Sequence, residues 1–265
     1  MSNSILSAFF LSSLIVALAL WRGSLSRSGG IAALIVGTLT FGLGGWLWGV
    51  LLAIFFVSSS LLSHFKEDAK RAAAEKFEKG HRRDSGQVIA NGGLGALLAV
   101  ASVVWPSPIW LPLFVGVMAT VTADTWATEL GTLARRPPRL ITNGRIVEVG
   151  TSGGVSPLGT GVSLVGGLFI GLIAGWFSPD LGLQTGALIG AAGGLSGSLF
   201  DSLLGATVQQ IYYCERCQKE TERQEHKCGS TTRPLRGWRW LNNDLVNLLS
   251  SLVGGLVALT IAVII

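Results

Sequence analysis

Long uncharged runs separated by short charged segments are the dominant pattern along this chain. A helix needs about 20 apolar residues to cross a bilayer, with some tolerance on either side. Eight runs meet or approach that length, at about residues 4–21, 29–43, 45–63, 88–105, 109–130, 155–177, 182–207 and 244–264. The pattern predicts an all-α fold, a polytopic transmembrane helical bundle of about eight (six to eight) spans, with residues 1–265 as a single integral membrane domain.

The second and third runs are the hardest to separate, because only Gly42, Gly44 and Gly45 interrupt them. The basic residues before and after this pair must both lie on the inner side of the membrane, which requires an even number of crossings between them. Two spans satisfy that requirement, and eight spans in all place both the N and the C terminus outside. A re-entrant hairpin in place of the second and third spans satisfies it equally well.

Composition and charge agree with a membrane protein. The mean hydropathy is +0.54 and 13% of residues are charged, which is typical of a polytopic helical membrane protein. The 20 Lys and Arg residues fall into four segments, two at 22–27, seven at 66–83, four at 135–145 and seven at 216–239. Cytoplasmic loops carry such an excess, so all four segments are predicted to be cytoplasmic. The basic charge therefore describes loops at a membrane face and not a nucleic-acid-binding surface.

Residues 64–87 are predicted to form a cytoplasmic helical loop. This segment is rich in Ala, Glu and Lys, and the pairs Lys66 with Lys70 and Glu75 with Lys79 are each spaced by one helical turn. The third span is therefore expected to continue into the cytoplasm as a helix. The solvated face of such a helix accounts for its charges.

Four carboxylates lie near the inner ends of predicted spans and are the predicted catalytic residues. Asp124 and Glu129 belong to the fifth span, Asp201 to the seventh, and Asp244 begins the eighth. An ionisable group inside an apolar span is costly, so each is a candidate functional residue. A satisfied packing role is the alternative for any one of them, but four carboxylates at one depth favour a site.

The chemistry that suits such a set is phosphoryl transfer with magnesium. Mg²⁺ binds a few carboxylate oxygens together with water and phosphate oxygens, which predicts a magnesium site at Asp124, Asp201 and Asp244. The glycine-rich segment 150–160 precedes the sixth span, where free amides at a helix N-terminus favour an anion. It is not a Walker loop, and close helix packing is the alternative explanation for its small residues.

Six motifs then follow one another along the chain: RRDSGQVIANGG (82–93), ADTWATELG (123–131), PRLIT (138–142), GTSGGVSPLGT (150–160), GSLFDSLLGATVQ (197–209) and WLNNDLVN (240–247). This set resembles that of the phytyl-phosphate kinase family, which includes the transmembrane protein nineteen group, over roughly residues 30–265. The resemblance implies an integral membrane kinase that converts an isoprenoid monophosphate such as phytyl phosphate to the diphosphate. It also implies CTP as the donor and a place in tocopherol biosynthesis or phytol salvage.

The resemblance carries the family's characteristic positions onto Asn91, Asp124, Glu129, Asp201, Asn243 and Asp244. The expected partners are an isoprenoid phosphate lipid, CTP and the bilayer, with the active site at the cytoplasmic face. An acceptor that is already an ionised phosphate needs no strong general base, which agrees with a site without a buried histidine. The residues predicted to bind substrate or nucleotide are Arg83, Gln87, Asn91, Thr151, Ser152, Gly153, Gly154, Ser156, Thr160, Asn243 and Asn247.

The cytoplasmic loop 209–242 contains a possible metal site. A C-x2-C pair, Cys214 and Cys217, is followed by an H-x-C pair, His226 and Cys228. Thiolates with an imidazole are the usual ligands of structural zinc, so the four residues are a possible zinc site. Free thiols on an ordinary loop and a redox function are the alternatives.

Two other functional classes remain open. A transporter would also place carboxylates in the membrane, but it favours the midplane and an inverted repeat, and neither is apparent in the sequence. A lipid cytidylyltransferase would use the same CTP and magnesium apparatus and release pyrophosphate. The sequence separates this last class poorly from a kinase.

Overall fold

Eight helices account for most of the residues that the structure describes. The computed structural model describes residues 2–66, 76 and 82–265. The helices are α1 (Ser2–Trp21), α2 (Arg27–Gly44), α3 (Trp46–His64), α4 (Ser85–Val104), α5 (Trp110–Gly131), α6 (Pro157–Phe177), α7 (Leu183–Thr207) and α8 (Asn243–Ile264). Each matches one predicted span, with ends that differ by at most three residues. The helical, multi-span fold class is therefore confirmed, whereas the side on which the termini lie stays a prediction.

Helix α5 forms the centre of the bundle. It packs against α3, α4, α6, α7 and α8, and its residues Leu113 to Ala123 are all buried. The other seven described helices are long and apolar enough to cross a membrane by themselves, and α5 falls outside that set. A helix that is shielded on all sides by protein does not need a lipid-compatible surface. For this reason α5 can carry polar residues such as Thr120 and Asp124.

Helices α2 and α3 form a hairpin of two full-length helices. They contain 18 and 19 residues, or about 27 Å each at 1.5 Å per residue, so both are long enough to cross a bilayer. A single residue, Gly45, separates them, with a φ of +85° that glycine adopts without strain. On α3, Trp48 stacks on Phe114 of α5 with ring centroids 4.0 Å apart. The two helices are therefore not the short halves expected of a re-entrant hairpin.

Helix α4 contains a π-turn near its start. Asp84 caps the helix by accepting a hydrogen bond of 2.9 Å from the Gln87 amide, and the Gln87 side chain accepts one of 3.2 Å from the Asp84 amide. The π-turn Ile89–Gly93 follows and contains Asn91. Such turns inside helices often occur at functional positions.

Helices α6 and α7 pack backbone to backbone. Glycines recur at every fourth position on both facing surfaces, at Gly167, Gly171 and Gly175 of α6 and at Gly186, Gly190 and Gly194 of α7. A Cβ atom at Gly171 would overlap the carbonyl oxygen of Gly186. This is the small-residue packing common between membrane helices, and it brings the polar side chains of the two helices close together.

The prediction that the third span continues as a helix is wrong at the residues that directly follow its end, Phe65 and Lys66. Helix α3 ends at His64, Phe65 is extended, and Lys66 has a φ of +50°, which interrupts a helix. Residues 67–75 and 77–81 of the predicted helical loop 64–87 lie outside the described residues. The loop ends in the first turn of α4.

Five short strands, which the sequence did not predict, lie in the loops at one end of the bundle. The two strands β1 (Arg139–Leu140) and β2 (Gly154–Val155) pair with each other. A second sheet of order β4-β3-β5 contains β3 (Ile211–Cys214), β4 (Lys219–Thr221) and β5 (Arg233–Arg236). Both sheets are antiparallel and small, so they leave the helical class unchanged.

The loops that carry the four basic segments meet at this end of the bundle, which we call the basic end. The Arg83 amide donates a hydrogen bond of 3.0 Å to the Ser24 carbonyl. The buried Lys76 forms an ion pair of 2.8 Å with Glu148 and donates a hydrogen bond of 3.1 Å to Thr151. Its carbonyl accepts a hydrogen bond of 2.9 Å from the Glu222 amide. The basic loops thus form one connected surface, and their cytoplasmic location stays a prediction.

Candidate active site

Two carboxylates from neighbouring helices approach each other inside the bundle. Asp124 follows the buried run of α5, and its Oδ1 accepts a hydrogen bond of 3.3 Å from Ser198 Oγ of α7. Ser163 Oγ of α6 lies 3.0 Å from Ser198 Oγ. Asp201, one turn after Ser198, lies close enough to Asp124 for their charges to interact. Three helices therefore contribute to one polar cluster, of which the sequence reasoning named only the carboxylates.

Helix α8 borders this cluster on another side. The Ser250 hydroxyl of α8 faces the Asp201 carboxylate. Asp201 Oδ2 is buried and has no hydrogen-bond partner among the residues that the structure describes. A buried acceptor without a donor is unfavourable, because its desolvation is not offset. The cluster therefore favours a cation or a donor supplied by a ligand.

Glu129 has different neighbours from Asp124, although both residues lie on α5. Its Oε1 accepts a hydrogen bond of 2.9 Å from Ser63 Oγ of α3, and its charge interacts with that of Arg83. Five residues of an α-helix rotate the side-chain direction by about 140°. The two carboxylates, which the sequence reasoning grouped together, therefore face α7 and α3 respectively. Nearby, Trp126 Nε1 donates a hydrogen bond of 3.1 Å to Ser58 Oγ of α3.

Arg83 places a buried cation beside Glu129. Burial lowers the pKa of Arg83 to about 10 and the charge of Glu129 raises it, so the guanidinium is charged at neutral pH. Its Cζ lies 5.5 Å from the ring centroids of both Phe55 and Phe56. Its Nη1 is buried and has no hydrogen-bond partner within the described part of the chain. A guanidinium with an open donor is well suited to a phosphate.

The glycine-rich segment 150–160 is held largely by its own contacts. Ser156 is buried and caps α6 by accepting a hydrogen bond of 3.1 Å from the Gly159 amide, and Thr160 lies in the same first turn. Gly153 has a φ of +83°, and a Cβ atom there would overlap Ala206 of α7. Close packing therefore accounts for Gly153, and the capping accounts for Ser156. The expected role of the segment in phosphate binding stays a prediction.

Glu222 is a carboxylate that the sequence reasoning missed. Its Oε1 accepts hydrogen bonds of 3.0 Å from Ser152 Oγ and 2.9 Å from Gln209 Nε2. Its charge also reaches Asp201. It is one of four glutamates in the loop between α7 and α8. Nothing in the local sequence distinguishes it, and only the fold of that loop brings it to the carboxylate pair.

The remaining polar residues that the sequence predicted lie on α4 and α8. The Gln87 side chain forms the capping box of α4, and Asn91 Nδ2 donates a hydrogen bond of 2.9 Å to the Gln87 carbonyl. Asn243 and Asn247 lie in the first two turns of α8, one turn apart. The N-cap of α8 is Asn242, which the sequence reasoning did not select. Helix capping therefore accounts for the side chains of Gln87 and Asn242 in these motifs.

The carboxylate pair fits a magnesium ion. Mg²⁺ prefers carboxylate oxygens, water and phosphate oxygens, and Asp201 offers a buried oxygen without a partner among the described residues. A divalent cation would also offset the repulsion between the two buried charges. Asp244 is half-buried in the first turn of α8. Among the described residues no group of three metal-ligand atoms contains Asp124, Asp201 and Asp244, so the predicted three-carboxylate magnesium site stays a prediction.

A second ligand cluster lies in the loop between α7 and α8. Cys214, Cys217, His226 and Cys228 place their ligand atoms within 4.8 Å of one another. The Sγ atoms of Cys214 and Cys228 are 3.7 Å apart, and His226 Nδ1 lies 3.3 Å from Cys228 Sγ. Two thiolates bound tetrahedrally at about 2.3 Å would be about 3.8 Å apart. The donor types and their spacing therefore fit a zinc ion.

The thiols of this cluster differ in acidity. Hydrogen bonds with Ser230 and His226 lower the pKa of Cys228 to about 6. The hydrogen bond with Cys228, together with burial and Cys214, raises the pKa of Cys217 to about 11. Three thiolates so close together repel one another, and metal binding would displace the remaining protons.

Comparison with known proteins identifies the family. Residues 10–255 match the family described as Integral membrane protein DUF92. Protein PGR of Arabidopsis thaliana is 36% identical over 269 residues, covering 93% of this chain and 92% of that protein. The uncharacterized membrane protein MJ0933 of Methanocaldococcus jannaschii is 30% identical, with 89% and 85% covered. Protein VTE6, chloroplastic, of Arabidopsis thaliana is 27% identical, with 89% and 64% covered.

No solved structure matches the chain significantly. The family match spans nearly the whole bundle and includes α2 to α7 completely. Two relatives are at least 30% identical over most of both chains. The chain therefore belongs to the DUF92 family of integral membrane proteins, which confirms the family that its six motifs indicated.

Proposed function

We propose that this protein is a membrane kinase that transfers the γ-phosphate of CTP to an isoprenoid monophosphate, such as phytyl phosphate, and forms the diphosphate. Membership of the family that contains Protein PGR and Protein VTE6 supports a function related to prenyl phosphates. The six motifs support the kinase reaction, as a resemblance. The choice of CTP rests on that resemblance alone.

The paired carboxylates are the observation that carries the proposal. Asp124 and Asp201 lie together in the bundle, about 10 Å from the ends of their helices at 1.5 Å per residue. One of their oxygens is buried without a partner among the described residues. Magnesium at this pair would neutralise part of the charge of the nucleotide phosphates when bound. The pair therefore offers carboxylate ligands for the magnesium ion that a phosphoryl-transfer site needs.

The proposed reaction needs little covalent chemistry from the protein. An oxygen of the acceptor phosphate forms a bond to the γ-phosphorus of CTP, and the bond from that phosphorus to the β–γ bridging oxygen breaks. CDP leaves with the bridging oxygen, and no proton has to be removed from the ionised acceptor. Catalysis is then positioning and electrostatic stabilisation. Arg83 would hold the acceptor phosphate, and Asp124 and Asp201 would hold the cation.

The basic end is proposed to face the cytoplasm. Its loops carry nearly all of the Lys and Arg residues, and cytoplasmic loops have that bias. Nucleoside triphosphates are present on that side. The phosphate headgroup of the isoprenoid acceptor would then lie at Arg83, within reach of the nucleotide, while its lipid chain stayed among the helices.

We also propose that Cys214, Cys217, His226 and Cys228 hold a structural zinc ion. The hairpin of β3 and β4 leads directly into Glu222, whose charge reaches Asp201. A four-residue connection between β3 and β4 and three small strands provide little core of their own, and a metal commonly stabilises such a unit. Zinc would thus fix the loop that borders the carboxylate pair.

Product analysis with purified protein tests the kinase proposal. The protein in detergent or in liposomes is supplied with Mg²⁺, phytyl phosphate and each of the four nucleoside triphosphates in turn. Formation of phytyl diphosphate and CDP from CTP is the expected result. Pyrophosphate with a CDP-linked lipid would instead identify a cytidylyltransferase. Uptake of a solute without turnover by any donor would identify a transporter.

A further inference from the structure

An apolar cavity of about 630 Å³, including the open space at its mouth, lies between α1, α2, α3 and the start of α4. We call it the α1–α4 cavity. Its walls are mainly aliphatic and aromatic, with Ile15, Val36, Phe41, Leu52, Phe55 and Phe56 among them. No residue of α5 to α8 lines it, so it is distinct from the carboxylate pair.

Most polar groups of this cavity lie at the start of α4, and Ser12 of α1 is the other polar residue in its lining. Arg83, Gln87 and Asn91 line that end. The side chain of Gln87 is engaged in the capping box, whereas Arg83 Nη1 is buried and has no partner among the described residues. Glu129 balances part of the charge of Arg83, and the open Nη1 donor leaves one charge-assisted hydrogen bond for an acceptor such as a phosphate oxygen at this end of the cavity. The cavity therefore combines an anion site with an apolar tunnel.

The shape of the α1–α4 cavity fits one narrow chain. Its lining on α2 runs from Ala33 to Phe41, which is about 12 Å at 1.5 Å per residue. Small residues line the walls as well, at Ala33, Gly37, Ala53 and Gly92. At Gly37 the approach is so close that a Cβ atom would lie 2.7 Å from Ser12 Oγ. A single lipid chain matches this space better than the two chains of a diacyl lipid.

Through Arg83, the polar end of the cavity also reaches α5, the helix that carries Asp124. Arg83 interacts with Glu129, and Glu129 lies five residues after Asp124, or about 8 Å along the helix axis. Because Glu129 faces α3 and Asp124 faces α7, an anion held by Arg83 lies on the α3 side of α5, within about one and a half turns of the carboxylate pair.

We propose that the α1–α4 cavity is the acceptor site, with the phosphate of a linear isoprenyl monophosphate at Arg83 and the first isoprene units between α1, α2 and α3. This inference rests on the proposed function, because it takes the acceptor of that reaction as the ligand. It adds the residues that would recognise the lipid chain of the acceptor, and these residues do not belong to the carboxylate pair. Apolar contacts supply the affinity for the chain, and the guanidinium selects the phosphate.

Direct binding without nucleotide tests the proposal separately from turnover. Purified protein in detergent is titrated with tritiated geranylgeranyl phosphate, and competition is measured with geranylgeraniol, dioleoyl phosphatidic acid and inorganic phosphate. The variant Ala33→Phe fills the cavity, and Arg83→Gln removes the cation. Ile35→Phe is the matched control, because Ile35 lies on the same helix, is 56% exposed and does not line the cavity. Gel filtration and thermal unfolding verify that each variant is folded.

We expect each of the two cavity variants to weaken binding at least about tenfold, because Arg83→Gln removes a charged donor to the phosphate and Ala33→Phe occupies the space of the lipid chain. Arg83→Lys, which keeps the charge, should retain part of the affinity if Arg83→Gln alone is unstable. Ile35→Phe should bind as the wild type does. Geranylgeraniol, phosphatidic acid and inorganic phosphate should each compete poorly.

Unchanged binding by folded Ala33→Phe and Arg83→Gln would overturn the proposal, and so would equal competition by phosphatidic acid. If the wild type bound geranylgeranyl phosphate at this site but turned over with no donor, the proposed kinase reaction would fail and the acceptor site would stand. If turnover occurred and both variants bound normally, the kinase would stand and the acceptor site would be elsewhere.

Discussion

Replacing Asp124 by Asn should lower kcat/KM without lowering the stability of the fold. The change keeps the shape of the side chain and removes one of the two charges at the carboxylate pair. If the pair holds the magnesium of a phosphoryl-transfer site, kcat/KM should fall about 100-fold to 1,000-fold, the size seen when one preorganised electrostatic group is removed. That range corresponds to about 3–4 kcal/mol in the transition-state free energy.

The same variant should not lose stability when magnesium is absent. Ser198, which contacts Asp124, lies one turn before Asp201 on α7. Two carboxylate charges separated by on the order of 6 Å, the spacing of one helical turn, repel by about 3 kcal/mol at an effective dielectric constant of about 20. Losing the 3.3 Å hydrogen bond from Ser198 costs about 0.5–1.5 kcal/mol. The net gain of about 1.5–2.5 kcal/mol would raise the Tm by about 3–10 °C.

The assay is thermal unfolding in detergent with EDTA or with Mg²⁺, alongside turnover. Magnesium should raise the Tm of the wild type and have little effect on Asp124→Asn, because a ligand stabilises only the state that binds it. Asp180→Asn is the matched control, since Asp180 is an exposed carboxylate in the turn between α6 and α7. Full activity in Asp124→Asn, or equal stabilisation of both proteins by Mg²⁺, would refute the reasoning.

Three further predictions concern the metal loop, the glycine interface and the basic end. Zinc measured by elemental analysis should fall from about one ion per chain to near zero in Cys217→Ser, and unchanged zinc would contradict the proposed ligand set. Gly190→Leu should abolish folded protein in gel filtration because α6 leaves no room, whereas Gly161→Ala, with nothing within 4 Å, should fold normally. Lys76 lowers the pKa of Glu148 through a hydrogen bond and its charge, so their contribution to stability is present above the usual carboxyl pKa and is lost as pH falls through the lowered value. The acid unfolding curve of Lys76→Met should lack the loss of stability that protonation of Glu148 causes in the wild type. An unchanged acid unfolding curve would show that the Lys76–Glu148 pair does not stabilise the loops.

The helices could be predicted from the sequence because two simple physical requirements define them. A span needs about 20 apolar residues, and basic residues stay outside the hydrocarbon region. Both signals are local, so even the α2–α3 hairpin with its single-residue turn at Gly45 was divided at the correct glycines. The same alignment of spans predicted that Asp124 and Asp201 lie at a similar distance from the ends of their helices.

The arrangement around α5 could not be predicted in the same way. Which face of the helix carries Asp124 and which carries Glu129 depends on the helices that surround it, and this is a property of packing. Glu222 reaches the site only through the small sheet of the last loop, whose strands are too short to give a periodic pattern. The α1–α4 cavity is a space between helices and has no sequence signal. The end of α3 at His64 was not predicted either, because the positive φ of Lys66 has no sequence signal.

The fate of the labelled phosphate tests the central claim most directly. Purified protein with Mg²⁺ and phytyl phosphate is given CTP labelled either at the γ- or at the α-phosphorus, and the lipid products are separated. The account predicts that label from the γ-position alone enters the lipid, as phytyl diphosphate, and that Asp124→Asn abolishes the transfer. Label from the α-position in the lipid, or no label in the lipid from any nucleoside triphosphate, would contradict it.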